Sequence, residues 1–459
     1  MKKVNYNTYN PVRTITLRGK LMIAFEKLNY FFRKLSGKKQ WKSVWPQHHE
    51  DPLKMTIKEK IYLGYKYYYR AMVNAEKGSN LDKYFAQQTL QPDIPGNFIP
   101  AQTITLSAGG DLMPYEWVNK NSCANLWDDV GDFFFNSDIV FANLETPADF
   151  SKPYSATPEV MLNDMYFNAD EELMEIFLGN KKFKGYDVLS VANNHSLDTG
   201  VDGLINTMNY LSSQNIAYTG AAKSEKERDD FPIIERNGIK TAFIAATFSL
   251  NSLELPADKP WLCNHICLNE PEPDISLIIR QAKLARTRGA DIIVAALHMG
   301  CAYQAYPGKT VVHNIHRICD EAGIEIIIAG HPHHAQPMEF YQSCKSGKQH
   351  FIAYSLGDFI AYDIFKWCHL PLMLKLHLAK GTINGKPVTI LQKLEVKAAY
   401  MFAETRERRI VKLQLVDYLT LRTDPIKYIS GKKELEKFEE LQSFFENFVL
   451  LPHQQHVLV

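Results

Sequence analysis

From Ala101 onward the sequence alternates short apolar runs with amphipathic stretches, and this alternation constrains the fold more than any other feature. Apolar runs at 103–108, 139–143, 188–192, 240–246, 292–297, 324–329, 351–355, 372–378 and 390–396 have strand length and composition. Between several of them, residues 169–178, 201–213, 275–288 and 312–322 carry apolar side chains at helical spacing. Strands alternating with helices predict a layered α/β domain with functional residues at the strand ends. The last strands have no helix between them, which predicts antiparallel pairing.

The polar residues fall where that prediction expects them. Five apolar runs end in Gly110-Asp111, Asn143-Leu144-Glu145, Asn193-Asn194-His195, His298-Met299-Gly300 and Gly330-His331-Pro332-His333-His334. Carboxylate, amide oxygen and imidazole gathered on one sheet edge suit a divalent metal such as Mn, Fe or Zn, and one or two such ions would clamp a phosphoryl group. Each signal is weak by itself: a glycine–aspartate pair is usually a turn, Asn-Asn often caps a helix, and a histidine behind an apolar run is most often packed. Five at successive strand ends outweigh those bland readings.

On these residues the sequence resembles the calcineurin-like metallophosphoesterases, and within them the CapA-type capsule and poly-γ-glutamate biosynthesis proteins. The blocks Ser107 to Met113, Asn143 to Glu145, Ala192 to Asp198 with Gly200, His298 to Gly300, Gly330 to His333 and Tyr354 to Phe359 occur in that family's order. The resemblance spans residues 101 to about 365, within a domain expected over 101–400. It implies a layered α/β metallophosphoesterase-like sandwich with metal ligands Asp111, Glu145, Asn194, His298, His331 and His333. It implies His195 as the acid that protonates the leaving oxygen and Asp198 as its orienting partner. Asn143, Asn193 and Tyr303 would line the substrate cleft. The implied activity is a metal-dependent phosphoesterase-type hydrolase acting on a phosphoester or an anionic polymer; the rival reading is a metal-binding accessory subunit of a polymer synthase. Some positions depart from the pattern: Met113 stands where the wider superfamily has histidine, Met299 replaces tryptophan, Ala302 occupies a position that is usually acidic, and Asp358 replaces asparagine.

Ahead of this domain, residues 1–100 read as a basic helical extension and linker, and residues 401–459 as a helical tail. Residues 1–50 hold eleven Lys or Arg against Glu26 and Glu50, a net +9 that leaves −8 for the rest of a chain of net charge +1. Leu21, Phe25, Leu28, Phe32 and Leu35 form one apolar helical stripe, which fits a membrane-surface helix as well as one packed on the protein. A second helical stretch, 56–77, is dense in tyrosine, and Pro92, Pro95, Gly96 and Pro100 mark a linker.

The near-neutral total, and the lack of a basic aromatic stripe beside the candidate site, argue against nucleic acid as a partner. Seven cysteines, an odd number widely spaced, do not form a disulfide framework. Cys263 and Cys267 flank His265 without a second pair that would complete a zinc site, and His313 and His316 read as surface helix residues. No uninterrupted apolar run of membrane-spanning length and no secretory signal pattern occur, which predicts a cytoplasmic or membrane-peripheral protein.

Overall fold

The computed structural model describes residues 17–35, 50–157, 166–407 and 409–459. Two sheets carry the fold. The first contains β1 (Phe98–Leu112), β2 (Ile139–Leu144), β3 (Val188–Ser190), β4 (Ala217–Thr219), β11 (Leu372–Ile383), β12 (Lys386–Arg406) and β13 (Arg409–Asp417), in the order β13-β12-β11-β1-β2-β3-β4. The second contains β5 (Ile233–Arg236), β6 (Ile239–Thr247), β7 (Ile292–His298), β8 (Ile326–Gly330), β9 (Met338–Gln342) and β10 (Gln349–Ala353), in the order β5-β6-β7-β8-β10-β9. Strands β1 to β4 run parallel, as do β6, β7, β8 and β10, whereas β11, β12 and β13 are antiparallel.

The parallel strands are short and buried on both faces: every residue of β2 and β7 is buried. That is why they read as unbroken apolar runs. The two sheets face each other, with Phe141 of β2 stacked on Phe243 of β6 at a ring separation of 5.6 Å. Helices Glu171–Phe177, Gly200–Ser213, Ser276–Thr287 and Lys309–Ala322 link the strands, so the layered α/β sandwich is the observed architecture. With β1 to β4 and β6 to β8 parallel within their sheets, Asp111, Asn143, His298 and Gly330 all lie at carboxyl ends of strands.

The antiparallel side exceeds the sequence expectation. β12 runs through Ala403 to Arg406, and β13 precedes the helix Lys432–Phe444. Hairpin turns at Asn237-Gly238 and Asn384-Gly385 put both central residues at positive φ (44° and 74°, 51° and 76°). That backbone matches the twist of the strands it joins, and asparagine followed by glycine adopts it at least cost.

The amino-terminal helix α1 (Leu17–Leu35) is followed, from residue 50, by α2 (Ile57–Tyr69) and α3 (Leu81–Ala86). The rest of the basic segment, residues 1–16 and 36–49, lies outside the described residues. α2 opens on a capping box: the Glu59 amide donates to Thr56 Oγ1 at 3.3 Å and the Thr56 amide to Glu59 Oε2 at 2.8 Å. The helix ends at Tyr69, short of the expected 77, because Met72 pairs as an isolated bridge with Gln304 and its carbonyl accepts from the Ala305 amide at 2.8 Å. No described helix is long and apolar enough to cross a membrane.

Candidate metal centre

Asp111 closes β1 at a place where only glycine fits beside it. A Cβ on Gly110 would lie 1.9 Å from the Gly357 carbonyl oxygen, and one on Gly330 would lie 2.5 Å from Asp111 Oδ1. The Asp111 carboxylate accepts from Asn143 Nδ2 at 2.8 Å and from the His331 amide at 2.9 Å, which ties the ends of β1, β2 and β8 together. Burial, with the nearby Glu145 charge, raises the Asp111 carboxyl to about 7.

Glu145, just past β2, is fully buried, and neither carboxylate oxygen has a hydrogen-bond partner among the described residues. Its ligand atom and those of His298 and His331 all lie within 4.8 Å of one another. His298 Nε2 lies 3.3 Å from Glu145 Oε1 and 2.7 Å from Asn194 Oδ1. Asn194 turns its amide group away, donating to Asn251 Oδ1 at 3.0 Å, so its oxygen faces the cluster. Asn143 Nδ2 meets His298 Nδ1 at 3.3 Å and fixes that ring from the other side. Both ring nitrogens of His331 are buried without hydrogen-bond partners among the described residues. Burial holds His298 and His331 down, to about 3 and about 4, so both rings are neutral and have lone pairs to give.

A buried carboxylate with no donor is costly, by several kcal/mol, unless a cation or proton compensates it. Oxygen and imidazole donors aimed at one point are the set that divalent transition metals take. The residues present therefore fit a divalent ion.

The other expected ligands lie alongside. His333 is buried and close enough for its ring to stand 5.7 Å from that of His331, but its Nδ1 meets Asp358 Oδ1 at 3.1 Å. Burial pushes this imidazole down, yet the Asp358 charge and hydrogen bond prevail and hold it at about 10. His331 and His333 sit at φ 99° and 65°, left-handed backbone that costs about 1–3 kcal/mol each and persists where the surrounding structure enforces it.

His195 and Asp198 are joined as the resemblance implies. His195 Nδ1 lies 2.7 Å from Asp198 Oδ2, which also accepts from the Phe167 amide at 2.6 Å, and the Phe167 ring packs 4.1 Å from the imidazole. Burial raises the Asp198 carboxyl, with the adjacent His195 opposing that shift. Asn251 Nδ2 also approaches this Nδ1, at 3.4 Å, so the contacts to Asp198 and Asn251 both fall on one ring nitrogen.

The residues expected in a substrate cleft are placed behind the ligands. Asn193 Nδ2 donates to the Leu144 carbonyl at 2.7 Å and to Asn143 Oδ1 at 3.3 Å. Tyr303, only 4% exposed, stacks on His333 at 5.1 Å. His316 bonds Glu339 at 2.6 Å and His313 bonds Glu272 at 3.1 Å, so neither joins the cluster. All seven cysteines are free.

Sequence reasoning missed several residues at this centre. Asp358 takes hydrogen bonds from Tyr115 and His333, and the Phe359 amide donates to the Asp111 carbonyl at 2.7 Å. Asn251, in the loop beyond β6, holds Asn194, and Phe248 packs 4.7 Å from His331. Glu50, from the amino-terminal segment, approaches His331. A signal existed only for Asp358, which falls inside the Tyr354 to Phe359 block.

The class is thus a layered α/β protein with a buried carboxylate–imidazole centre at the carboxyl ends of its parallel strands. The family described as bacterial capsule synthesis protein PGA_cap matches residues 105–363, over half of the chain, and the chain belongs to it. Among its relatives, the PGA biosynthesis protein CapA of Bacillus subtilis is 25% identical over 318 residues, 68% of this chain and 77% of that one. The capsule biosynthesis protein CapA of Bacillus anthracis is 27% identical over 267 residues, 56% of this chain and 60% of that one. The crystal structure of calcineurin-like phosphoesterase YfkN from Bacillus subtilis aligns with 78% of this chain and 99% of that one, at 13% identity and a TM-score of 0.38.

Proposed function

We propose that the chain is a divalent-metal-dependent hydrolase of the phosphoester class that serves the synthesis of a capsular polymer such as poly-γ-glutamate. The observation that carries this reading is the convergence of Glu145, His298 and His331, with both oxygens of a fully buried carboxylate left without a donor among the described residues. Glu145, Asn194, His298 and His331 would hold the ion, with Asp111 and His333 beside them. A bound divalent ion supplies Lewis acidity toward a phosphoryl oxygen and lowers the pKa of water.

The chain's own groups do the rest. Asn143 and Asn193 lock the strand ends so that the ligands stay in register. Asp198 fixes the tautomer of His195, and His195 Nε2 holds the proton delivered to the departing oxygen. The names of the Bacillus relatives support a place in capsule or poly-γ-glutamate biosynthesis. The exposed Leu21, Phe25, Leu28 and Phe32 of α1, flanked by Lys20 and Lys27, support docking on an anionic membrane surface beside the polymer synthase.

The test is hydrolysis of bis(p-nitrophenyl) phosphate by the Mn²⁺-loaded chain, compared with His195→Ala and Asp111→Asn. Turnover by the wild type, lost by at least about 100-fold in His195→Ala, supports catalysis. Metal retention without turnover would favour the accessory-subunit reading instead.

A further inference from the structure

Glu50 lies far outside the family-matched residues 105–363, yet its side chain ends within the metal centre. It is 4% exposed, and its carboxylate is held on two sides: Oε2 accepts from the Ala302 amide at 2.5 Å, and Oε1 pairs with Lys66 of α2. Lys66 is itself completely buried and donates to the Ala302 carbonyl at 2.7 Å. The segment that delivers the acid is therefore pinned to the loop after His298 by hydrogen bonds at both peptide groups of Ala302. Ala302 itself carries only a methyl group. From this position Glu50 Oε2 stands 3.8 Å from His331 Nε2, somewhat longer than a hydrogen bond.

We propose that Glu50 is the positioning carboxylate of His331, so that the amino-terminal segment completes the metal centre. A metal-bound histidine generally donates its second ring N–H to a carboxylate or carbonyl, which fixes the tautomer and raises the basicity of the ligating nitrogen. His331 otherwise has no partner for either nitrogen among the described residues. Glu50 is the carboxylate nearest Nε2, which leaves Nδ1 to face the ion. The charge of Glu50 also adds to that of Glu145 in a site that must compensate a divalent cation. Lys66 holds Glu50 in place before metal arrives and balances its charge while the site is empty. This inference rests on the metal-dependent reading above, and goes beyond it in making a segment outside the family match part of the site.

The experiment is Mn²⁺ titration of the full-length, metal-stripped chain by calorimetry, for wild type, Glu50→Gln, Lys66→Met and the double variant Glu50→Gln with Lys66→Met. Glu50→Gln keeps the shape and the contact with the Ala302 amide but removes the charge; Mn²⁺ affinity is expected to fall by about 10- to 100-fold. Lys66→Met is expected to keep affinity near that of the wild type, since the Ala302 amide still holds Glu50 Oε2 beside His331. The double variant removes both buried charges and so folds without an unpaired one, as melting of the metal-free proteins will show. If Glu50 serves only to neutralise Lys66, the double variant recovers wild-type Mn²⁺ affinity and the proposal is overturned. If it positions His331, affinity in the double variant stays as low as in Glu50→Gln. Wild type that fails to bind Mn²⁺ would instead bring down the metal-dependent reading itself. Wild-type affinity in Glu50→Gln would overturn this inference alone.

Discussion

Two stretches of the amino-terminal segment look alike in sequence, both helical and rich in aromatic and basic residues, and the protein uses them in opposite ways. α1 leaves Leu21, Phe25, Leu28 and Phe32 in solvent, each at least half exposed. Residues 50–86 bury Glu50, Lys66, Tyr67 and Phe85 against the domain that carries the site. Tyr67 hydrogen bonds to Asp363 at 2.8 Å and packs 5.2 Å from Tyr303, and Phe85 meets Tyr354 at 5.4 Å. An apolar stripe shows that a helix face needs a cover without saying what the cover is. The difference is made by partners more than two hundred residues away.

The strongest way to break this contrast is truncation. Removing residues 1–86 strips the cover from Tyr303, Tyr306 and Tyr354 and is expected to abolish cooperative unfolding, whereas removing residues 1–35 leaves the urea transition of the core nearly unchanged. A stable, metal-binding product of the longer deletion would show that residues 50–86 are an accessory layer. Next in size, Tyr67→Ala deletes a buried ring and should cost about 3–5 kcal/mol in urea denaturation. Tyr67→Phe keeps the ring and removes the bond to the half-buried Asp363 carboxylate, for about 1–3 kcal/mol. Equal losses from the two substitutions would place the energy in the hydrogen bond rather than in packing.

The smallest effect on stability is expected in α1. Phe25→Asp with Phe32→Asp should shift unfolding by no more than about 0.5 kcal/mol per site, yet reduce co-sedimentation with phosphatidylglycerol-containing vesicles. Unchanged sedimentation would remove the membrane surface as the cover for this face.

Much of the site was legible because short parallel strands, buried on both faces, announce themselves as apolar runs whose first polar residue lies at the sheet edge. Asp111, Glu145, Asn194 and His298 follow from that pattern. The missed strands had weaker local signals: β4 spans three residues, and β13 opens on Arg409 to Lys412, none of them buried, before its buried run Leu413 to Val416. β5 was overlooked although Asn237-Gly238 marks its hairpin. Glu50 could not be read at all, since nothing in its neighbourhood distinguishes it from a solvated acid. Its role depends on the backbone of Ala302, 252 residues away. The buried Lys66 was equally hidden, because a lysine on an amphipathic helix ordinarily faces water.

The proposed function stands or falls on whether the buried carboxylate of Glu145 holds a cation with His298 and His331. Its most direct test is the metal content of the purified chain after incubation with Mn²⁺ and gel filtration, for wild type and Glu145→Gln. The account predicts stoichiometric metal in the wild type and its loss in the variant, with the variant stable without metal because the uncompensated buried charge is gone. A wild type that carries no metal, or a Glu145→Gln variant that retains it in full, would contradict the claim.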